Sequence, residues 1–444
     1  GVRVVEVALL GRTFGVEVPE HATIFDLRAA IAKQQGLPAS MHLTVNDHPV
    51  KDNALVSSLP DSPLVGTNLA VQVFLLGSGI VGSDGGPIGD MYRCAVAAGN
   101  GKVYAVPFHA NRVLEIDPTS GEVVEIGPVL TAAAKYEAAV LGENGLIYAV
   151  PCCAENPMVI DPERGTVEQL RGSMGLQPYA YTCCVAAGNK VFAPPASTRT
   201  CLEIDTRAGW YSAMHTGDGA MATGGNQKYS CIARGENGML YAPPSEPGGY
   251  VMVIDPVEGT VARLPSPALT GRYRCILGAP NGHLYAIPTS GRVLDLDPVE
   301  ETLEEIGPEL ANAEATPSYL AMALLGDRLY SVPYGADRVL EIDYERGVVQ
   351  QIGPVIKGGR KKYSSVVATR GCLYAPPGSG QGVLQFDPNA PEEDMASYLT
   401  SPTLSRPGRE KFFCCTAAKN GSVIAPPHQG LGGKVLELRW GDRR

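Results

Sequence analysis

The chain carries only seven histidines in 444 residues. Two of them, His109 and His428, sit just beyond prolines of a recurring motif. A pair of imidazoles so placed could bind a metal or act as a base. No third ligand recurs at fixed spacing beside them, so the simpler account is two solvated loop histidines and no metal. Seven aspartates, Asp117, Asp161, Asp205, Asp255, Asp297, Asp343 and Asp387, also recur. Each opens a turn of its own, as in Asp117-Pro118-x-x-Gly121, which reads as turn chemistry rather than a calcium ring. A third pattern has a basic residue directly before an aromatic: Lys135-Tyr136, Lys228-Tyr229, Arg272-Tyr273, Lys362-Tyr363 and Lys411-Phe412. Arg360 and Lys361 add to one of these sites, and Arg409 to another. Converging cations beside aromatic rings suit an acidic partner. The competing account is packing, with the aromatics filling space and the lysine stems covering them. No phosphate loop, G-x-S-x-G or H-E-x-x-H occurs, so neither a catalytic residue nor a cofactor is expected.

These residues are positioned by a repeat. Lys102-Val-Tyr-Ala-Val-Pro107 opens a sentence that returns seven more times, with prolines at 107, 151, 195, 244, 288, 333, 377 and 427. The steps between them are 44, 44, 49, 44, 45, 44 and 50 residues, a period typical of propellers and solenoids. Each unit holds four short strand signals rich in Val, Ile, Leu and Tyr. Asn100-Gly101, Asn144-Gly145, Asn237-Gly238, Asn281-Gly282 and Asn420-Gly421 suit tight hairpin turns, whose central residues take positive φ. Four antiparallel strands per period predict one propeller blade per unit.

Composition narrows the function. Net charge is −10, which argues against general affinity for nucleic acid or anionic membrane. No apolar run is long enough to span a bilayer, and the first residues show no leader pattern. The eleven cysteines include Cys94, Cys183, Cys231, Cys275 and Cys414 at one repeat position, where other units have Ala138, Ala321 and Ser365. This reads as a slot for a small side chain rather than a disulfide framework, and predicts a reducing, cytoplasmic location.

Residues 1–77 read differently. Val2 to Val18 predicts two strands around Leu10-Gly11, and Thr23 caps a helix with Ile24, Leu27, Ala30 and Ile31 on one face. Gly36-Leu37-Pro38 ends it, and strands follow at Leu43–Val45, Val50 and Leu69–Val73. This ββαββ order resembles ubiquitin, which implies a β-grasp fold and a protein-binding role. Ubiquitin's apolar recognition patch corresponds to Leu9, Thr44 and Gln72, two of them polar, so binding to ordinary ubiquitin receptors is not expected. The Gly77-Ser78-Gly79 segment runs on into the next domain, so the resemblance implies an integral module, acting either in recognition or as a docking or solubilising lobe.

Residues 78–444 resemble kelch-type propeller repeats in architecture. The kelch glycine doublet is replaced by Val-Pro or Pro-Pro, and its tryptophan survives at most as Trp210. Vicinal Cys152-Cys153, Cys183-Cys184 and Cys414-Cys415 are similar to those of eight-bladed quinone-cofactor dehydrogenases. Those enzymes brace their blades with many tryptophans, and this chain has two. Strands beginning at Tyr92, Tyr136, Tyr181, Tyr229, Tyr273, Tyr319, Tyr363 and Phe412 are rich in small residues and belong innermost, where blades converge. The sequence therefore predicts a mainly β protein: a small α+β ubiquitin-like domain, then an eight-bladed propeller. Its last blade is expected to be completed by a strand near Ile80 and Val81, beside Val435–Leu438. Tight turns occupy one face of the disc and variable loops the other, so binding is expected on the loop face. The expected site comprises Lys135, Lys228, Arg272, Lys362, Lys411 and Arg360, with Tyr136, Tyr229, Tyr273, Tyr363, His109 and His428. The function this supports is a non-enzymatic scaffold or adaptor binding a protein partner. The alternatives are a structural subunit docked through the ubiquitin-like lobe, or an enzyme using the channel mouth.

Overall fold

The computed structural model describes residues 89–440, apart from 173–174, 176, 216–227, 311–315, 402–403, 405–409 and 430–432. Of the first 88 residues it describes six strands and a few positions around Thr23. Ile80, Val81 and Arg409 lie outside the described residues.

Eight antiparallel sheets follow one another along the chain. Blade 1 runs from Tyr92 to Ile126, blade 2 from Tyr136 to Gln169, blade 3 from Val185 to His215 and blade 4 from Ala233 to Arg263. Blade 5 runs from Arg272 to Leu310, blade 6 from Tyr319 to Ile352, blade 7 from Val367 to Leu399, and blade 8 begins at Thr416. Seven sheets have four strands; in blade 5 two merge into one long strand, Leu284–Asp297, leaving three. The first strand of each blade touches the first strand of the next, and Thr416–Ala417 of blade 8 touches Tyr92–Ala97 of blade 1. The small-residue strands are thus innermost, and the ring closes on itself.

Closure differs from the sequence expectation in one respect. The fourth strand of blade 8 is Val71–Leu76, paired antiparallel with Val435–Trp440 in the register Val435↔Leu76 to Trp440↔Val71. The strand beside Val435 is therefore not the one around Ile80. Sequence pattern assigned residues 69–73 to the first domain because their alternation fits any half-buried strand, and alternation does not name the sheet. Gln72, matched above to ubiquitin's last strand, pairs here with Arg439 of the propeller.

Among the described residues the first sheet has five strands, and that strand is not one of them. Its order is Arg12–Pro19, Val2–Leu9, Leu64–Thr67, His42–Val45, His48–Pro49. The central pair, Val2–Leu9 and Leu64–Thr67, is parallel, and the other pairs are antiparallel. Leu27 and Ala30 are helical, Leu27 N–H donates to the Thr23 carbonyl at 3.0 Å, and the Leu27 side chain is buried.

Blade contacts explain the repeat motif. Each hairpin asparagine does more than turn the chain. Asn100 Nδ2 donates to the Tyr104 hydroxyl at 3.0 Å and to the Pro162 carbonyl of the next blade at 2.8 Å. Asn144, Asn237 and Asn281 repeat this clasp with Tyr148 and Thr206, Tyr241 and Pro298, and Tyr285 and Tyr344. Asn420 closes the circle on the Pro118 carbonyl. The aspartate turns hold themselves: Asp117 Oδ1 accepts from Thr119 N–H at 2.7 Å and Ser120 N–H at 3.2 Å, and Asp161, Asp205, Asp255 and Asp297 do the same. The glycine after the fourth strand is a packing requirement. At Gly127, with φ +79°, a Cβ would lie 2.5 Å from Val167 of the next blade, and Gly307 stands in the same relation to Val349.

Candidate functional site

The loop face is organised by a backbone belt around the channel mouth. In every blade but the fifth the residue after the recurring proline donates its N–H to the carbonyl of the residue before the inner-strand aromatic. Examples are Cys152 to Lys135 at 2.8 Å, Ser245 to Lys228 at 2.7 Å and Gly378 to Lys362 at 2.8 Å. That residue's own N–H reaches the previous blade: Lys135 to Phe108, Ala180 to Cys152, Lys228 to Ala196, Lys362 to Tyr334 and Lys411 to Gly378. Met91 N–H to the His428 carbonyl, at 3.0 Å, closes the circuit. The aromatic's own N–H also reaches the previous blade's proline carbonyl in three blades: Tyr181 to Pro151, Tyr273 to Pro244 and Phe412 to Pro377.

This belt sets the environment of the basic residues. Lys135, Lys228, Lys362 and Lys411 occupy equivalent places at the mouth, and all four are buried. Their ammonium groups turn into protein carbonyls: Lys135 to Ala132 at 2.5 Å, Lys228 to Thr198 at 2.9 Å, Lys362 to Ala336 at 2.7 Å, and Lys411 to Gly378 and Gly380 at 3.4 Å each. Burial pulls the Lys135 ammonium down to about 8 and lowers Lys228 and Lys411 as well. Arg272 is the exposed one of the five, and Arg360 is exposed beside it in kind. Lys361 is also exposed and reaches Glu410 at 3.2 Å.

The aromatics pack between blades. Tyr136, Tyr229, Tyr273 and Tyr363 are fully buried. Three of their hydroxyls donate to backbone carbonyls about twenty residues on: Tyr136 to Asn156, Tyr229 to Tyr250 and Tyr363 to Gly382. Tyr273 instead donates to Glu305 Oε1 at 3.1 Å. The sequence motif thus pins each post-proline loop to its own inner strand.

His428 lies at the seam between the last and first blades, with His109 within electrostatic range of it. His428 is buried, with Nε2 at 3.1 Å from Asp90 Oδ1 and Nδ1 at 3.3 Å from the Tyr92 carbonyl. Gln429 Nε2 also donates to Asp90. The His428 bond, with Gln429 and Arg93, holds the Asp90 carboxyl well below the usual range against the opposing effect of burial. His109 lies half-buried, its Nδ1 accepting from Ala134 N–H at 3.4 Å, and burial lowers its pKa. Among the described residues no cluster of three or more His, Cys, Asp or Glu is arranged to hold a metal.

The chemistry that sequence reasoning missed lies one residue beyond each aromatic. The inner strands of blades 1, 2 and 5 slip register there, between Tyr92 and Cys94, Tyr136 and Ala138, and Tyr273 and Cys275. A bulge re-aims the extra residue, and these residues are Arg93, Glu137 and Arg274. Arg93 donates to Asp90 at 3.1 Å and to Glu137 at 3.2 Å, and its guanidinium lies 4.0 Å from the Phe108 ring centroid and 5.3 Å from that of Phe413. Arg93 Nε is buried without a hydrogen-bond partner. Burial lowers the Arg274 pKa; Glu137 opposes this, while Arg272 and Arg93 add to it. Tyr334 donates to Glu410 at 2.7 Å on the same face. The only sequence signal was the identity of the residue following each aromatic, which varies too freely between units to stand out.

All eleven cysteines are free thiols. Those at the repeat slot lie along the inner strands, and burial pushes the Cys94 thiol up to about 11 and raises Cys183, Cys231 and Cys414 too. No helix among the described residues is long and apolar enough to cross a membrane.

No protein-family model matches the chain, and no curated protein matches it. Solved structures do. The virginiamycin B lyase of Staphylococcus aureus is 14% identical with a TM-score of 0.52, covering 69% of this chain and 96% of its own. A streptogramin B lyase is 14% identical with a TM-score of 0.51, covering 84% and 98%. A catalytically inactive variant of the Staphylococcus aureus lyase with quinupristin is 12% identical with a TM-score of 0.52. At such identities the likeness shows the propeller fold alone.

Proposed function

We propose that this protein is a non-enzymatic binding scaffold whose propeller presents its loop face to a partner bearing acidic groups. The observation that supports this most is the contrast between the two faces. The Asn clasps and self-bonded Asp turns commit the polar groups of one face to the ring itself. The other face carries the longer loops, a mouth with Arg93 and Arg274 on bulges, and exposed Arg272 and Arg360. In this reading the four buried lysines hold the mouth's shape, and the arginines meet the partner. The repeats are divergent relatives of kelch-type units. The first sheet, with its parallel central pair and Leu27 packed inside, is a β-grasp domain serving as a recognition or docking lobe. The free thiols fit a reducing, cytoplasmic setting. The test is affinity purification with the full chain and with an Arg272→Glu/Arg360→Glu variant, read by mass spectrometry and melting temperature. The reading expects a salt-sensitive partner that the variant fails to retain while melting as the parent does. Equal retention by the variant overturns it.

A further inference from the structure

Basic groups converge on the mouth: Arg93 and Arg272 both act electrostatically on Arg274, and Glu137 opposes them. Glu410 on the same face is taken up by Tyr334 and Lys361. Asp90 is taken up by His428, Gln429 and Arg93. In a closed ring of eight blades, blade 1 and blade 5 face each other across the channel, so Arg93 and Arg274 project toward one another from opposite walls. Arg93 is preorganised: its plane is held against Phe108 and Phe413, and its two terminal nitrogens are fixed by Asp90 and Glu137. On the far side two register shifts flank Tyr273 and re-aim the strand bearing Arg272 and Arg274. Blade 5 also lacks a distinct post-proline loop, because Leu284–Asp297 runs straight through.

We propose that this mouth binds a small oxyanion carrying two negative charges, held between Arg93 and Arg274 with Arg272 at the entrance. Guanidinium groups on two sides match an anion with oxygens on two sides, through charge-assisted hydrogen bonds. Glu137 is the internal competitor: it occupies part of Arg93 and neutralises Arg274 when the site is empty. Burial and like charge make the Arg274 guanidinium costly in the empty state, and an arriving anion relieves both. This site rests on the same face as the proposed partner surface and defines the chemical group that surface recognises.

The experiment is isothermal titration of the full chain with inorganic phosphate and, separately, with succinate, against chloride at matched ionic strength. The expected result is saturable binding of phosphate or succinate that chloride does not reproduce. Arg274→Gln should weaken it about tenfold, the effect of one charge-assisted bond. Glu137→Gln should tighten it, and a gain of affinity is a readout that misfolding does not produce. Absence of saturable binding by both anions at millimolar concentration, or unchanged affinity in both variants, overturns the site. The two readings fail separately. Anion binding lost in Arg274→Gln while the Arg272→Glu/Arg360→Glu variant keeps the protein partner leaves the oxyanion site standing and removes the scaffold reading. Partner loss without anion binding does the reverse.

Discussion

Replacing Lys135 by methionine separates a structural lysine from a binding one. The Lys135 side chain is buried, and its ammonium has one carbonyl partner, Ala132, at 2.5 Å. Burial brings its pKa to about 8, against roughly 10.4 in an unfolded chain. The folded state therefore holds this proton less tightly than the unfolded state. Below about pH 8 both states are protonated, and the folded protein bears the whole penalty of the buried charge. Between about 8 and ~10.4 the unfolded chain holds more protons, so the penalty fades and stability rises with pH. The full difference would be ~3 kcal/mol at ~1.4 kcal/mol per tenfold change in proton affinity. Solvent reaching the channel mouth screens part of it, and ~1–2 kcal/mol is the expected size. Lys135→Met keeps the stem's packing and removes the charge, at the loss of one hydrogen bond worth ~1 kcal/mol. At pH 7 the variant should be as stable as the parent or more stable. From pH 8 to 10 the parent should gain ~1–2 kcal/mol relative to it. Paired urea melts across that range measure the difference, and other titrating groups cancel between the two proteins. A difference independent of pH, or a variant several kcal/mol less stable at pH 7, would refute the argument.

Two further outcomes follow from the ring. Removing residues 1–70 should leave a folded propeller, whereas removing 1–76 takes away the strand paired with Val435–Trp440 and should cause cooperative loss of blade 8, read by circular dichroism melts and proteolysis. Asn237→Ala deletes the bonds to Tyr241 and the Pro298 carbonyl, at 2.8 and 2.6 Å, and should cost ~1–3 kcal/mol in a denaturant melt.

Much of this architecture was legible because the repeat says the same thing eight times. A period near 44 residues, small residues in one strand and turn signals at fixed offsets all agree, and such consistency identifies the blades, their number and their inner strand. The seam was harder to read. Leu69 to Leu76 carries an alternating pattern that fits the edge of either sheet, and only long-range pairing assigns Val71–Leu76 to Val435–Trp440. The mouth was half legible. Lys135 and its counterparts were placed correctly on the ring, since position follows from the repeat. The direction of each side chain does not follow. A lysine at the start of an inner strand can point to water or into a neighbouring loop, and here the carbonyls of Ala132, Thr198, Ala336 and Gly378 draw it inward.

The residue after each aromatic shows why function and repeat part company in this chain. Positions that bind neighbouring blades are under the same geometric demand eight times over, so they converge on Tyr, Pro, Asn and Gly. The residue after the aromatic answers to local partners instead, Arg93 to Asp90 and Glu137, Thr182 to the Tyr229 carbonyl and Ser230 to Ser245, so no single rule makes blade 1 resemble blade 3 there. Arg93, Glu137, Thr182, Ser230 and Arg274 accordingly span four residue types, while Tyr92, Tyr136, Tyr181, Tyr229 and Tyr273 are the same. The proposed oxyanion site is thus built on positions that break the pattern at a fixed place within it. That criterion selects Arg93 and Arg274 and passes over the lysines, whose recurrence beside the belt is explained by the belt itself.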